Sequence, residues 1–375
     1  MNALKAYTQN IDWILFAALI PLVGAGLLTM NSFTGDNYFF NRQLLWVFIA
    51  CGVFFTCSVV DWNFLKRTDV LVSLFLFICV VLLFLFIGGH AVRGSQSWFR
   101  FGEIALQPAD PAKLIVILIL AKYFSRRHIE IAHIRHILVS AFYAFVPFVL
   151  VFLQPDFGSS IIIFAIWLGM IIVSGVSKKH LATIFLLGAT IFLFLWSFVF
   201  EPYQKQRIIT FLNPLTDIQG AGYNAYQSAI AVGSGGLWGK GIGYGTQSRL
   251  EFLPEFETDF IFAAFAEEWG FAGVLILFSL FGVVIWRIFH HAQLGATNFE
   301  TLFGLGLVIF IMSHFIIHVG MNIGLLPITG ITLPFLSYGG SHLITEFAGL
   351  GILMGMRRYA RTVHRDDAKN EFVGV

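Results

Sequence analysis

The stretch Leu253-Pro254-Glu255-Phe256-Glu257-Thr258-Asp259-Phe260-Ile261-Phe262 marks the point where a polar, glycine-rich segment, residues 201–258, gives way to a long apolar run. Nearly all the rest of the chain reads as helix built for hydrocarbon. Such a chain can place ordinary aqueous chemistry only in its extramembrane loops and at its helix ends. The segment delivers an acid, Asp259, to the mouth of one such helix, and the active site is expected there.

Composition supports this. The chain is 58% hydrophobic, 17% aromatic and 12% charged, with 43 phenylalanines; soluble domains carry about 25% charged residues. A soluble protein of this make-up would lack the polar surface to stay dispersed, so the class is polytopic membrane protein. A net charge of +2 gives no reason to expect nucleic acid. Cys51, Cys57 and Cys79 all fall inside apolar runs; their odd number and spacing suit packed thiols, not a metal site. The apolar run after Asp12 has no cleavage pattern behind it and reads as a first span, not a signal peptide.

A helix needs about 20 mostly apolar residues to cross the hydrocarbon core. Ten segments qualify or nearly do: Trp13–Met30, Leu44–Val60, Val70–Gly88, Pro111–Phe124, Ile137–Leu153, Gly158–Ser174, Leu181–Phe200, Asp259–Ile288, Leu302–Gly324 and Ser337–Met356. The expected fold is therefore an all-α polytopic membrane protein, residues 1–375 forming one integral membrane domain. With the N-terminus cytoplasmic, basic residues crowd the inner segments (Lys66, Arg67, Arg126, Arg127, Lys178, Lys179, Arg357, Arg358), as orientation by positive charge requires. Both termini are then inside. The loop 201–258, between spans seven and eight, faces the other side. No internal repeat is visible, which speaks against an inverted-repeat transporter.

Charges within spans are costly and each needs a reason. Asp110 and Lys113 are three residues apart at the start of the fourth span and share a helical face, so they can pair; an interfacial pair with a snorkelling lysine is the competing reading. Asp156, in Gln154-Pro155-Asp156-Phe157-Gly158, suits a cap for the sixth helix. Thr258 likewise fits an N-cap for the eighth, with Asp259 beside it as a base, a metal ligand or part of the cap. Glu267 and Glu268 lie roughly two turns deeper, about 12 Å at 1.5 Å per residue, where capping cannot explain them. They read as support or function, with support the leading reading. The loop glycines (Gly233-Ser234-Gly235-Gly236, Gly239-Lys240-Gly241) permit left-handed turns and close backbone approach. Lys205, Arg207, Lys240 and Arg249 suit contact with a phosphate or pyrophosphate headgroup, or with anionic membrane lipid in general.

Several motifs now fall in a familiar order. They are Arg207-Ile208 with Phe211-Leu212-Asn213-Pro214, Gly222-Tyr223 with Gln227-Ser228, Gly245-Thr246-Gln247-Ser248, and Leu253-Pro254-Glu255 with Thr258-Asp259-Phe260-Ile261-Phe262. Leu326-Pro327 with Thr329-Gly330 follows, then Leu333-Pro334-Phe335 and Ser337-Tyr338-Gly339-Gly340-Ser341; Gln107-Pro108 with Lys113 and Gln154-Pro155-Asp156 stand earlier. From about residue 10 to 360 the chain resembles the SEDS family (shape, elongation, division and sporulation), and looks more like its elongation-type than its division-type member. The resemblance implies a ten-helix peptidoglycan glycosyltransferase of the cytoplasmic (inner) membrane. It would polymerise lipid II on the outer face, working with a class B penicillin-binding protein and the elongation machinery. It further implies that Asp259 is the essential carboxylate, that Lys113 is its basic partner across the cavity and that Asp156 is a further important acid. Asp110, Arg207, Lys240, Gln247 and Ser337 are expected among the substrate contacts. A divalent cation (magnesium or manganese) is the one cofactor in view, with Asp259 as a possible ligand; no organic cofactor is expected. A lipid II flippase and a non-catalytic scaffold are the rival classes.

Four positions depart from the family's pattern. Ala109-Asp110 stands where Ser-Glu is usual, Ser97 where an arginine is common, Glu257 where histidine is frequent, and His318 where asparagine is usual. The last two bear most directly on the charge around Asp259.

Overall fold

The computed structural model describes residues 11–31, 38–88, 90–92, 95–101, 104–126, 134–198, 200–201, 205, 209–211, 221–250, 252–253 and 255–370. The chain begins with three long helices, α1 (Trp13–Asn31), α2 (Tyr38–Val59) and α3 (Thr68–Gly88). Three short strands follow, β1 (His90–Val92), β2 (Ser95–Phe101) and β3 (Ile104–Leu106), and then α4 (Ala109–Ser125), α5 (Ile134–Phe152), α6 (Phe157–Val173) and α7 (Lys178–Phe198). Beyond these come α8 (Ala221–Ser234), the single turn α9 (Thr246–Arg249), α10 (Ile261–Gln293), α11 (Asn298–Asn322) and α12 (Gly340–Asn370).

Each of the ten expected spans coincides with a helix, and the chain is a multi-pass membrane protein. Among the described residues, seven helices are long and apolar enough to cross by length and composition alone: α1, α2, α3, α5, α7, α10 and α11. Helices α4 and α6 are 17 residues each. They need no long lipid-facing stretch because they are packed inside the bundle, with Ile117, Leu120, Ile162 and Ile166 fully buried; beyond its first turns, from Leu114 to Ala121, α4 is apolar on all sides, as an enclosed helix should be. Helix α12 extends past its apolar part into a charged tail, which lowers its average. In the core, α12 lies along α2, α10 along α1 and α11, and α11 against α4 and α6. Helix α7 differs: none of its described residues is buried.

Two features correct the expectation of an all-α chain with an open loop. The first is the antiparallel sheet β1-β2-β3 between α3 and α4, with Trp98 opposite His90 and Arg100 opposite Ala105. Its strands were hidden because Gly88-Gly89-His90-Ala91-Val92-Arg93-Gly94 reads as mere connection. The second is α8, a helix inside the long loop that packs on α10.

The loop glycines serve α10. That helix is broken at Gly270, where φ is 65° and ψ −170°. A break inside a membrane leaves carbonyls and amides that lipid cannot satisfy. Residues 236–241 supply the missing partners. Phe271 N–H donates to Gly236 O at 2.9 Å and Ala272 N–H to Leu237 O at 3.0 Å, while Lys240 and Gly241 N–H donate to Glu267 O and Glu268 O, each at 3.0 Å. Such contact needs residues without side chains: a Cβ on Gly235 would strike Ala266 O, and one on Gly239 (φ 80°) would strike Glu268 O. The glycine density thus serves close approach, as expected, but the surface approached is the chain's own helix.

At the end of the bundle opposite the break, Asp12 joins α1 to α10. Its carboxylate caps α1 through Ile14 and Leu15 N–H, accepts from Arg287 Nε at 2.7 Å and meets His291. Burial alone would raise this carboxyl, but the bonds from His291, Arg287 and Leu15 N–H hold it well below the usual carboxylate range.

Gly239→Ala is expected to lower stability by more than about 1 kcal/mol, since it combines a left-handed φ with a collision. Gly233→Ala, in α8 with nothing within 4 Å of the added methyl, should leave it unchanged or slightly raised. Thermal unfolding of both purified variants checks the pair.

Candidate active site

A cavity of about 970 Å³ opens where α2, α4, α6 and α12 begin and α11 ends. Asp110, Lys113, Asp156 and Asp259 all line it, so candidates from three distant segments meet in one place. The sheet closes one side through Ser97, Trp98 and Ala105.

Asp259 is held by its backbone. Thr258 was expected to cap the following helix, but α10 starts at Ile261 and its N-cap, Phe260, makes no side-chain cap bond. Residues 255–260 instead form a turn in which Asp259 N–H donates to Glu255 O at 3.0 Å, with Glu255 in a left-handed conformation (φ 51°). Ser337 Oγ donates to Thr258 O at 2.7 Å and Asn322 Nδ2 to Asp259 O at 3.0 Å. The Asn322 side chain also accepts from Ala263 N–H at 3.2 Å, tying α11 to the start of α10. Across from the carboxylate is Gly330 (φ 70°), where an added Cβ would sit 3.5 Å from Asp259 Oδ2. The backbone thus leaves the carboxyl on the cavity wall, half-buried.

Lys113 and Asp110 pair, Nζ to Oδ1 at 3.0 Å, both side chains 2% exposed. That excludes the snorkelling alternative, because an ammonium this buried has not reached the interface. Lys113 finds its counter-ion in Asp110, whereas the resemblance paired it with Asp259. Asp110 Oδ1 also lies 3.3 Å from His342 Nδ1.

Asp156 caps its helix as expected and also binds a neighbouring segment. Its Oδ1 accepts from Ser159 N–H at 2.9 Å, capping α6, and its Oδ2 accepts from Gln107 Nε2 at 2.8 Å. Gln107 is in turn bound to Ser341 through its main chain, so this acid fixes the approach of α4, α6 and α12.

Other expected contacts lie elsewhere. Lys240 Nζ is bound to Glu267 Oε1 at 2.6 Å and to Thr246 Oγ1 at 2.8 Å, away from the cavity lining. Glu267 also takes Thr246 and Gln247 N–H, and Glu268 Oε1 takes Gly243 N–H at 2.9 Å. The two deep carboxylates therefore hold the glycine-rich loop, and Lys240, the counter-ion of Glu267, does not line the cavity. The burial cost that made Glu267 need a partner is what claims Lys240. Gln247 serves through its main chain, and Ser337 shapes the wall through Thr258 without lining it. Arg207 lies outside the described residues. Glu257 is buried but does not line the cavity, and His318 donates from Nδ1 to Ile331 O at 2.6 Å.

Sequence reasoning passed over Arg42, whose guanidinium lies 4.4 Å from the Tyr38 ring centre on the cavity wall, and the cavity residues His314 and His342. The usable signal was a set of polar side chains within otherwise apolar helices. No cluster of three or more His, Cys, Asp or Glu suited to a metal occurs among the described residues. Magnesium, however, is commonly held by one or two carboxylates plus substrate phosphates, a set that Asp259 can enter.

With this geometry in view, the chain can be set beside known proteins. It belongs to the FtsW/RodA/SpoVE family of cell cycle proteins, whose model matches residues 8–362. It is 38% identical to the peptidoglycan glycosyltransferase MrdB of Escherichia coli K12 over 289 residues, 77% of this chain and 78% of that protein. It is 36% identical to the stage V sporulation protein E of Bacillus subtilis over 354 residues, 93% and 95% of the two chains. In structure it resembles a chain from a peptidoglycan synthase complex that coordinates polymerization and crosslinking (TM-score 0.80, 27% identity, covering 93% and 98%). It also resembles the rod shape determining protein RodA of Thermus thermophilus (TM-score 0.69, 26% identity, covering 93% and 97%).

Asn322→Leu keeps the branched shape but removes the partners of Asp259 O and Ala263 N–H. It is expected to cost about 1–3 kcal/mol, read as a lowered unfolding midpoint relative to the parent chain.

Proposed function

We propose that this protein is a peptidoglycan glycosyltransferase that polymerises lipid II at the outer face of the cytoplasmic membrane, in the elongation role. The observation carrying this reading is the cavity that gathers Asp259 and the buried Asp110–Lys113 pair at one end of the bundle. Ligand sites fall between about 300 and 1,000 Å³; a cavity near the top of that range suits a disaccharide-pyrophosphate headgroup whose polyprenyl tail stays in lipid.

The basic residues support the orientation. Lys66 and Glu300 pair at 2.8 Å and Arg287 meets Asp12, all at the end of the bundle away from the cavity. With that end cytoplasmic, ten spans place both termini inside and the cavity outside.

The reaction is one inverting displacement. The acceptor C4 hydroxyl loses its proton to the Asp259 carboxylate as its oxygen bonds to the donor's anomeric carbon. The bond from that carbon to the pyrophosphate oxygen breaks, and the electron pair leaves with the pyrophosphate. Proton transfer of this kind contributes typically 10²–10⁴-fold. Lys113, fixed and dehydrated beneath the cavity, presents positive charge to the phosphates without having to reorganise. Asp259 is also the residue that would hold a divalent cation, which would supply neutralising charge at the pyrophosphate. A class B penicillin-binding protein is the natural partner, since a glycan strand must be cross-linked as it is made.

Asp259→Asn keeps the shape and removes the base, and should lower polymerisation of lipid II by roughly 10² to 10⁴-fold in a gel assay of purified, folded protein. A near wild-type ladder from that variant would rule out the assignment of Asp259. Lys240→Met is expected to lower the unfolding midpoint while sparing the rate per folded molecule, because its charge serves Glu267 and not the cavity.

A further inference from the structure

We propose that His342 and Glu346 complete, with Asp110 and Lys113, a buried four-charge set whose electrical balance holds Lys113 in place, making His342 a positioning residue for the reaction. This rests on the functional reading above. The motifs that carry the family resemblance end at Ser341, so they assign nothing to either residue.

The geometry is as follows. His342 Nδ1 lies 3.3 Å from Asp110 Oδ1, the same oxygen that Lys113 Nζ reaches at 3.0 Å. On its other side, His342 Nε2 lies 2.9 Å from Glu346 Oε1, an ion-pair contact outside good hydrogen-bond angles. An imidazole with carboxylate oxygens at both nitrogens is matched by its doubly protonated form, which is a donor at both. Two carboxylates, one ammonium and one imidazolium then sum to zero. All four side chains are between 0% and 6% exposed, where an uncompensated charge is costly.

The other neighbours leave this balance intact. From α11, the His314 ring lies against His342, tilted by 33° with centroids 4.4 Å apart. Its Nδ1 lies 3.2 Å from Thr332 O and its Nε2 has no hydrogen-bond partner among the described residues, which fits a neutral ring. His318, further along α11, donates to Ile331 O, and Phe310 adds only an apolar ring. Glu346 also ties the set to the cavity wall: its Oε2 accepts from Phe335 N–H at 3.1 Å, and Phe335 holds a left-handed φ of 64°. Two residues on, Ser337 holds Thr258 O beside Asp259. The set therefore reaches both sides of the cavity.

Charge balance makes a prediction that packing does not. His342→Gln leaves the set with excess negative charge and Glu346→Gln with excess positive charge, while the double variant is neutral again. Polymerisation of lipid II by the full purified chain should fall by about tenfold to a hundredfold in each single variant, the scale of displacing a reacting group by about 1 Å. The double variant should recover to within about threefold of wild type, since contacting residues are not additive. The pH profile of Glu346→Gln should also differ in shape from that of wild type, because only in that variant does loss of the His342 proton restore neutrality to the set.

A double variant no better than the worse single, or a Glu346→Gln profile parallel to wild type, would overturn the proposal. If the single variants are too unstable to assay, the unfolding midpoints give the same test: the double should exceed both singles, and a double below them sinks the idea. Wild-type protein that makes no glycan would instead sink the functional reading, so the two failures are distinct.

Discussion

Hydrocarbon offers no hydrogen bonds, and the structure is organised around the places where this chain breaks that rule and mends it. The clearest is the interruption of α10 at Gly270. The carbonyls of Glu267 and Glu268 and the amides of Phe271 and Ala272 are all paired with residues 236–241. Because this loop must lie against the helix, it carries glycine where contact is closest. Because it enters a region of low polarity, its lysine pairs with Glu267. A segment that looks like a flexible connection is thereby an inserted structural element.

The same constraint explains why the site is rigid. Asp259 sits in a turn whose neighbours are held by Ser337 and Asn322, from two other parts of the chain. Asp156 caps α6 and binds Gln107, so the acid that shapes the wall also sets the helix spacing. On the proposed function, groups that act on a charged headgroup are bound before it arrives, and the electrostatic cost of arranging them is met in folding, not during reaction.

Much of this was legible from the residues. The spans followed from apolar length, the pairing of Asp110 with Lys113 from their spacing, the cap at Asp156 from its place before an apolar run, and the support role of Glu267 and Glu268 from the impossibility of capping so deep. What escaped was whatever depends on contact between distant segments. The sheet at residues 90–106 was missed because short strands beside glycines carry little periodicity. Thr258 looked like a cap, yet the turn that Glu255 closes moves the helix start to Ile261. Lys240 looked available for a phosphate until Glu267 claimed it.

Sequence alone determined that this is a membrane protein of helical spans, which residues carry its charge, and where along the chain an acid meets a helix mouth, since these depend on transfer of each segment into lipid. Only the tertiary structure decided which charges are shared among themselves and which line the cavity. A buried charge is stabilised by whichever partner the packing brings within about 4 Å, and the partners of Asp12, Lys66 and Lys240 come from the fold as a whole.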